Sequence, residues 1–365
     1  MKKNTSQDVA KLAGVSQAAV SLILNNSDKI AFSNETKERV FAAAQQLNYR
    51  IPSKKKPREK TSTRMLLVLT PTLTNQYYAE LIQAIEDYVD TLDYRVIVCN
   101  TFRKPDLEKF YLDTFLGSHV EGIIYTFLPS FPRFIEQISS TTPTVIIGEK
   151  QNDLSICSIE LSNMSAGSML AEHLYQLGHR KCVFISTPLN QLTLAREQRL
   201  EGIRRQFESH GVTDGVDVLM AEGLPESDSQ ADGMPYEYSV GRQLTANLMR
   251  RKCAASVLIG VNDMTALGIL NELTDGGYRV PEDYSVCGFD NIFSSSITTP
   301  GLTTIEHHLR ARCKAAVDMV IEMGQNGAVS HIPAPLVNKI EYTPQLVVRG
   351  STGSVTARED LAVKE

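Results

Sequence analysis

The chain contains no tryptophan, and its six cysteines (Cys99, Cys157, Cys182, Cys253, Cys287 and Cys313) are scattered without a Cys-x-x-Cys pair. That spacing argues against a zinc cluster or a disulfide framework. It fits a reducing compartment in which thiols serve as small buried hydrophobes. No segment approaches the ~18 uninterrupted apolar residues that a membrane helix needs. The opening MKKNTSQDVAKLAG has two lysines but no apolar stretch behind them, so the expectation is a cytoplasmic protein without a secretory leader. Catalytic signatures are missing too: there is no GxGxxG, P-loop, HExxH or GxSxG. His173 and His179 fall at a helix end and a turn, where capping is their natural work. The expectation is therefore a non-enzyme with no cofactor and no metal.

What is present is a long, ordinary globular composition with an uneven charge. The 365 residues are 42% apolar and 22% charged, which implies a folded chain of more than one unit. The formal charge of −5 hides a division. Residues 1–60 hold twelve Lys and Arg against five Asp and Glu, so the remaining 305 residues carry the acidic excess. A small basic head on a large acidic body is the layout expected when only the head touches a polyanion.

The head reads as three short helices. Thr5 and Asp8 form a capping pair ahead of the first, Gly14 breaks the pattern, Ser16 caps a second helix, and Ser33 caps a third over about 34–47. Residues 53–64, SKKKPREKTSTR, read as a polar, basic linker. From Met65 onward the pattern changes to short apolar runs alternating with amphipathic segments. The runs fall at 65–69, 95–99, 122–127, 144–147, 181–186, 216–220, 255–260 and 284–289. Continuous apolar runs suit strands buried on both faces, and this alternation implies parallel sheets with right-handed crossovers. Nine or ten strands are too many for one comfortable sheet. The fold class expected is a small all-α helix-turn-helix head plus an α/β core of two doubly wound parallel-sheet lobes. The division is 1–50 for the head, 51–63 for a hinge, 64–350 for the core and 351–365 for a flexible tail.

Two helices joined by a tight glycine turn, with a basic surplus, are the sequence form of a DNA reader whose second helix enters the major groove. On a 3.6-residue period Val15, Val20 and Leu24 face inward, while Gln17, Ala18, Ser21, Leu22 and Asn25 share the opposite face. Gln17 suits base edges, Ala18 and Leu22 suit a thymine methyl, and Ser16, Ser21 and Asn25 suit phosphates or local caps. The alternative for these residues is an ordinary three-helix packing module. In the core, ligands of open α/β sheets bind beyond the carboxyl ends of the strands. Asn75, Glu149, Asn262, Asp263 and Asp290 directly follow strands, and a carboxylate beside an amide can grip vicinal hydroxyls.

The ordered set TSQDVAKLAGVSQAAVSLILN, SNETKERVFAAAQQLNYR, LTNQYYAELIQAIE, VEGII, EHLYQLGHRKCVFI, QRLEGI, VNDMTALGIL, VPEDYSVCGFDN, TTPGLTTI and LVVRGSTG resembles the lactose-repressor (LacI/GalR-type) regulators over nearly the whole chain. The resemblance implies a core like a periplasmic sugar-binding protein, crossed three times by the chain, with crossings expected near Leu161, Ser294 and Asn326. It puts Gln17 and Ala18 where the family reads bases, within a DNA-facing set of Thr5, Ser16, Gln17, Ala18, Ser21, Leu22 and Asn25; Lys54, Lys55 and Lys56 of the linker offer plain phosphate contacts of their own. It places Arg199, Asn262 and Asp290 on the ligand's polar edges and Tyr236 against its face, with Tyr77, Tyr78 and His307 on the opposite wall. The implied partners are a palindromic double-stranded operator, a second copy of the chain and a small effector, a sugar or sugar derivative. VTAREDLAVKE lacks the leucine heptad of the family's tetramers, which favours a homodimer.

Departures from the family pattern are specific. Ala19 and Leu22 stand where relatives often carry Thr and Arg, so the common operator is not implied. IPSKKKPR replaces the usual hinge and offers no leucine to wedge into the minor groove; Pro57 would interrupt a hinge helix. Gly148 and Ser162 stand where many relatives carry Asp. The rival readings are a solute-binding protein without a DNA role, a sugar- or nucleotide-processing enzyme, and a regulator controlled by a partner protein.

Overall fold

In the computed structural model, residues 5–24, 32–47, 64–117, 120–150, 153–189, 194–223, 234–251, 254–325 and 337–355 are described. The chain divides into two compact units, residues 1–62 and 63–365. The expected hinge, with Lys54, Lys55 and Lys56, and also Asn25 and the Asn326 crossing, lie outside the described residues.

The first unit holds α1 (Ser6–Ala13), α2 (Gln17–Leu24) and α3 (Asn34–Gln46). Each start is set by a side chain named in the sequence. The backbone N–H of Thr5 donates to Asp8 at 2.8 Å, Ser16 Oγ accepts from Ala19 N at 3.1 Å, and Ser33 Oγ accepts from Thr36 N at 3.3 Å. Gly14, at φ +68°, takes the left-handed conformation that ends α1 and turns the chain into α2. The core is small: Val9, Ala10, Ala13, Val20, Ile23, Val40, Ala43 and Ala44 are buried, with Val15, Phe32 and Leu47 against them. The inward stripe of α2 thus includes Val20, as the period predicts, and adds Ile23.

The second unit is built on two parallel sheets. In the first lobe, β1 (Arg64–Thr70), α4 (Gln76–Asp90), β2 (Tyr94–Asn100), α5 (Pro105–Phe115), β3 (Val120–Tyr125), α6 (Pro132–Ser139), β4 (Thr144–Ile147) and β5 (Cys157–Leu161) alternate as expected. The second lobe contains α7 (Asn163–Gln176), β6 (Cys182–Ser186), α8 (Leu194–Ser209), β7 (Val216–Met220), α9 (Tyr236–Met249), β8 (Val257–Gly260), α10 (Asp263–Asp275), β9 (Ser285–Cys287), α11 (Phe293–Ile297) and β10 (Thr304–Glu306). Then α12 (Leu309–Gln325) and β11 (Lys339–Tyr342) return to the first lobe, and β12 (Gln345–Val347) pairs antiparallel with β10. Strand order is β11-β5-β4-β3-β1-β2 in one sheet and β7-β6-β8-β9 in the other.

The first crossing lies where expected, at Leu161–Asn163, but the other two move. Ser294 is not a crossing: it sits in α11, and its hydroxyl donates to Gln76 Oε1 of the first lobe at 2.5 Å. The chain crosses instead at His307–His308, between β10 and α12, and again at Thr343–Pro344, between β11 and β12. The three crossings are laced together. Ser162 N donates to Tyr342 O at 3.2 Å, and His308 Nε2 donates to Thr343 O at 3.0 Å.

The tail boundary also moves. Residues 351–355, expected to begin a flexible tail, are tied to the second lobe. Ser351 is fully buried and its hydroxyl donates to Val286 O at 2.6 Å, while Val355 N donates to Leu177 O at 3.0 Å. His179 explains part of this: Ser256 Oγ lies 2.6 Å from its Nδ1 and Gly353 O lies 3.1 Å from its Nε2.

Two helix pairs of the second lobe meet at glycines. A Cβ on Gly167 of α7 would stand 2.1 Å from the backbone oxygen of Arg199, and one on Gly202 of α8 would stand 2.1 Å from that of Met164. Gly241 and Gly268 repeat the arrangement between α9 and α10. Backbone therefore rests on backbone, which leaves no room for a side chain at these positions.

Candidate functional site

The carboxyl ends of the strands in both lobes face a cleft of about 120 Å³. Six of the seven residues expected at a ligand line it: Tyr77, Tyr78, Arg199, Asn262, Asp290 and His307. Tyr236 does not. It is the first residue of α9; its hydroxyl donates to Gly223 O at 2.6 Å, and it lies within electrostatic reach of Arg196, which does line the cleft.

The second-lobe wall is a saturated polar network around Arg199, which is 7% exposed. Its Nε donates to Asn163 Oδ1 at 2.8 Å, one Nη to Val261 O at 2.7 Å, and the other to Asp290 Oδ1 at 3.3 Å. Its guanidinium also lies 4.9 Å from the centre of the Phe289 ring. Asn163 carries the network to the first lobe, since its Nδ2 donates to Glu149 Oε1 at 2.9 Å. Asn262 spends its side-chain oxygen on Thr265 N at 2.9 Å as the cap of α10, which leaves its amide nitrogen to offer a ligand.

Burial governs the protonation of this wall. It pushes the Asp290 carboxyl up to about 8 against the opposing pull of Arg199. It pushes Asp263, which accepts from Ser295 and Thr304 hydroxyls at 2.6 Å each, up to about 6. Glu149 is raised by burial as well. His307 is held well below the ordinary histidine range by burial and by the charges of Arg199 and Arg312, so its ring is neutral. Its Nε2 lies 3.4 Å from an Arg199 Nη, which can only donate, so the ring proton belongs on Nδ1. That Nδ1 is buried without a hydrogen-bond partner; Asp290 Oδ1, at 3.5 Å, is near but not bonded.

The first-lobe wall is aromatic. Tyr77 packs edge-on against Tyr78 and His307, with ring centres 5.2 and 5.7 Å apart. Behind them Arg312 donates to Tyr77 Oη at 3.3 Å and to Ile159 O at 3.3 Å, and its buried Nε has no partner. Gly148 lines the cleft and Ser162 does not; the latter's hydroxyl pairs with Ser165 at 2.8 Å.

Sequence reasoning missed Arg103, Asn163, Arg196 and Arg312, which all line the cleft. Arg196 stands three residues before Arg199 on the first turn of α8, a helical spacing that could have found it. It reaches Thr187 Oγ1 and approaches Glu237 at 3.6 Å. Arg312 belongs to α12, and only the second crossing brings it to the site.

In the head, Thr5, Ser16, Gln17 and Ala18 are exposed and Leu22 is half-buried; the side chain of Ser21 lies outside the described residues. Gln17 Nε2 donates to Ser6 Oγ at 2.9 Å, which joins the starts of α1 and α2. Among the described residues there is no His/Cys/Asp/Glu cluster fit to hold a metal, and no helix is long and apolar enough to cross a membrane.

Comparison with known proteins follows this division. Residues 5–52 match the family model described as bacterial regulatory proteins, lacI family, and residues 171–352 match a periplasmic binding protein-like domain. The HTH-type transcriptional repressor PurR of Mannheimia succiniciproducens is 30% identical over 357 residues, covering 96% of this chain and 99% of the relative. The protein of the same name from Haemophilus influenzae (strain PittEE) is 28% identical over 355 residues, with the same coverage. Among solved structures, a lac repressor bound to ONPG is 26% identical at a TM-score of 0.67, covering 96% of this chain and all of that one. A LacI family regulator from Enterococcus faecium with bound ribose is 23% identical at a TM-score of 0.67, covering 80% of this chain and all of that one.

Proposed function

Because the chain belongs to the lacI family of bacterial regulatory proteins, we propose that it is an effector-responsive repressor: it binds a palindromic operator as a homodimer, and a small molecule in the inter-lobe cleft changes its operator affinity. The observation that carries this reading is the chain of contacts from Glu149 through Asn163 to Arg199 and Asp290. It joins both walls of the cleft through the half-buried Glu149 and the buried Asn163, Arg199 and Asp290. A ligand touching both walls favours one lobe angle over another, and that differential contact is what shifts a distant affinity.

In this reading Gln17, Ala18 and Leu22 of α2 contact bases, and Thr5, Ser16, Ser21 and Asn25 position the helix, with Lys54, Lys55 and Lys56 adding phosphate contacts. Two-fold symmetry of the dimer calls for two half-sites. The regulated genes serve a carbon source, with a sugar or sugar derivative as effector; the ribose found in a structural neighbour supports a ligand of that size. A solute-binding protein without a DNA role would have no use for a basic head of lacI-family pattern.

The test pairs retention of genomic DNA fragments with calorimetry. Gln17→Ala should shift base preference at one operator position by about 1–3 kcal/mol. Asp290→Ala should weaken effector binding by about 2–4 kcal/mol and leave effector-free DNA binding intact. A protein that retains no fragment in preference to any other would remove the reading.

A further inference from the structure

Three helices begin at the cleft. Asn75 caps α4, Asn163 opens α7 and Asn262 caps α10, and all three residues line the same cavity. Helix N-termini carry a partial positive charge, so three of them around one small volume favour negative charge. The charged side chains add to this: Arg103, Arg196, Arg199 and Arg312 line the cavity, against Glu149 and Asp290. Arg199 is engaged by Asp290, while Arg196 donates to the Thr187 hydroxyl and has its nearest carboxylate, Glu237, 3.6 Å away and outside the lining.

We infer that the cleft takes a small anion, an effector bearing a phosphoryl or carboxylate group, held between Arg103 of the first lobe and Arg196 of the second. The inference rests on the reading of this cleft as the effector site. Two buried donors point to the same conclusion independently. His307 Nδ1 and Arg312 Nε are on side chains 2% and 3% exposed, both line the cavity, and neither has a partner. A buried N–H without an acceptor is costly, and an anionic ligand is all acceptor. The two arginines oppose each other across the cleft: burial first, and the positive charge of Arg103 next, lower the proton affinity of Arg196. An anion between them would remove that repulsion and draw the lobes together. A neutral sugar would satisfy the donors but not the charge.

The experiment uses the full chain and three probes at matched ionic strength: inorganic phosphate, malonate and ribose, each against chloride. Binding is followed by thermal unfolding in circular dichroism and by calorimetry. Phosphate or malonate should bind and ribose should not, and whichever anion binds identifies the phosphoryl or the carboxylate source. Arg103→Gln, in a half-exposed turn, and Arg196→Gln should each weaken that binding about ten- to hundredfold. Absence of any effect of both anions over chloride overturns the inference. So does binding that both variants retain, or ribose binding that matches the anions. Retention of DNA fragments is measured in the same samples. If phosphate binds through Arg103 and DNA affinity does not change, the anion site stands and the repressor reading falls.

Discussion

The two lobes share a sheet plan but differ in how their helices are held. In the first lobe α4 and α12 meet through side chains: Leu81, Ile85, Cys313, Ala316 and Val317 are all buried in one cluster, and Tyr88 Oη donates to Asp318 at 2.6 Å. In the second lobe α7 meets α8, and α9 meets α10, through glycines on which the opposing backbone rests. The first arrangement yields when a side chain is trimmed; the second does not yield when one is added. The difference matters because α8 carries Arg196 and Arg199. The second-lobe wall of the cleft is fixed by backbone contact, whereas the first-lobe wall, with Tyr77 and Arg312, rests on adaptable packing.

The sharpest way to break this contrast is to add one methyl group. Gly167→Ala and Gly202→Ala should each destabilise by about 3 kcal/mol or more, because the clash is with backbone and not with a side chain end. Denaturant midpoints report it, and a loss within 0.5 kcal/mol would end the argument. Leu81→Ala in the first lobe should cost about 2–4 kcal/mol through the cavity it leaves, yet spare ligand binding more than the glycine changes do.

A third measurement uses pH. Asp263, fully buried, has its carboxyl raised to about 6, above its unfolded value of roughly 3.9. The folded state therefore holds a proton that the unfolded state has lost. The stability this contributes is complete below about pH 4 and fades as pH rises through 6, by roughly 2–3 kcal/mol. Midpoints across that window should decline in the wild type, and the Asp263 component of the decline should vanish in Asp263→Asn. An unchanged slope in the variant would assign the pH dependence elsewhere. Smallest is Cys313→Ala, at about 1 kcal/mol: its thiol, pushed up to about 12 by burial, behaves as a hydrophobe beside Leu81 O.

Legibility in the sequence followed local pattern. β1 to β4 and β6 to β9 announced themselves as apolar runs. β5 did not, because Ser158 and Glu160 interrupt it; both are buried only because β11 covers them and Lys339 reaches Glu160 at 2.6 Å. β10, β11 and β12 are three or four residues long and partly polar, too short to carry a period. At the site, Arg199, Asn262 and Asp290 follow from strand ends and motif. Arg103, Asn163 and Arg312 depend on how two lobes meet, which no local pattern encodes. Tyr236 opens α9 just outside the cleft lining, its hydroxyl spent on Gly223 O.

The lacing of the three crossings bears on the order of synthesis. The first lobe lacks an interior helix and an edge strand until residues 309–342 have been made, and the second lacks the β10 partner and the Ser351 bond to β9 until residue 351. Neither lobe can be completed on the ribosome before these late segments have been made. The head, whose three helices end at Gln46, has no such wait. The helices of the head are therefore complete in the growing chain before the strands and the helix that finish the cleft.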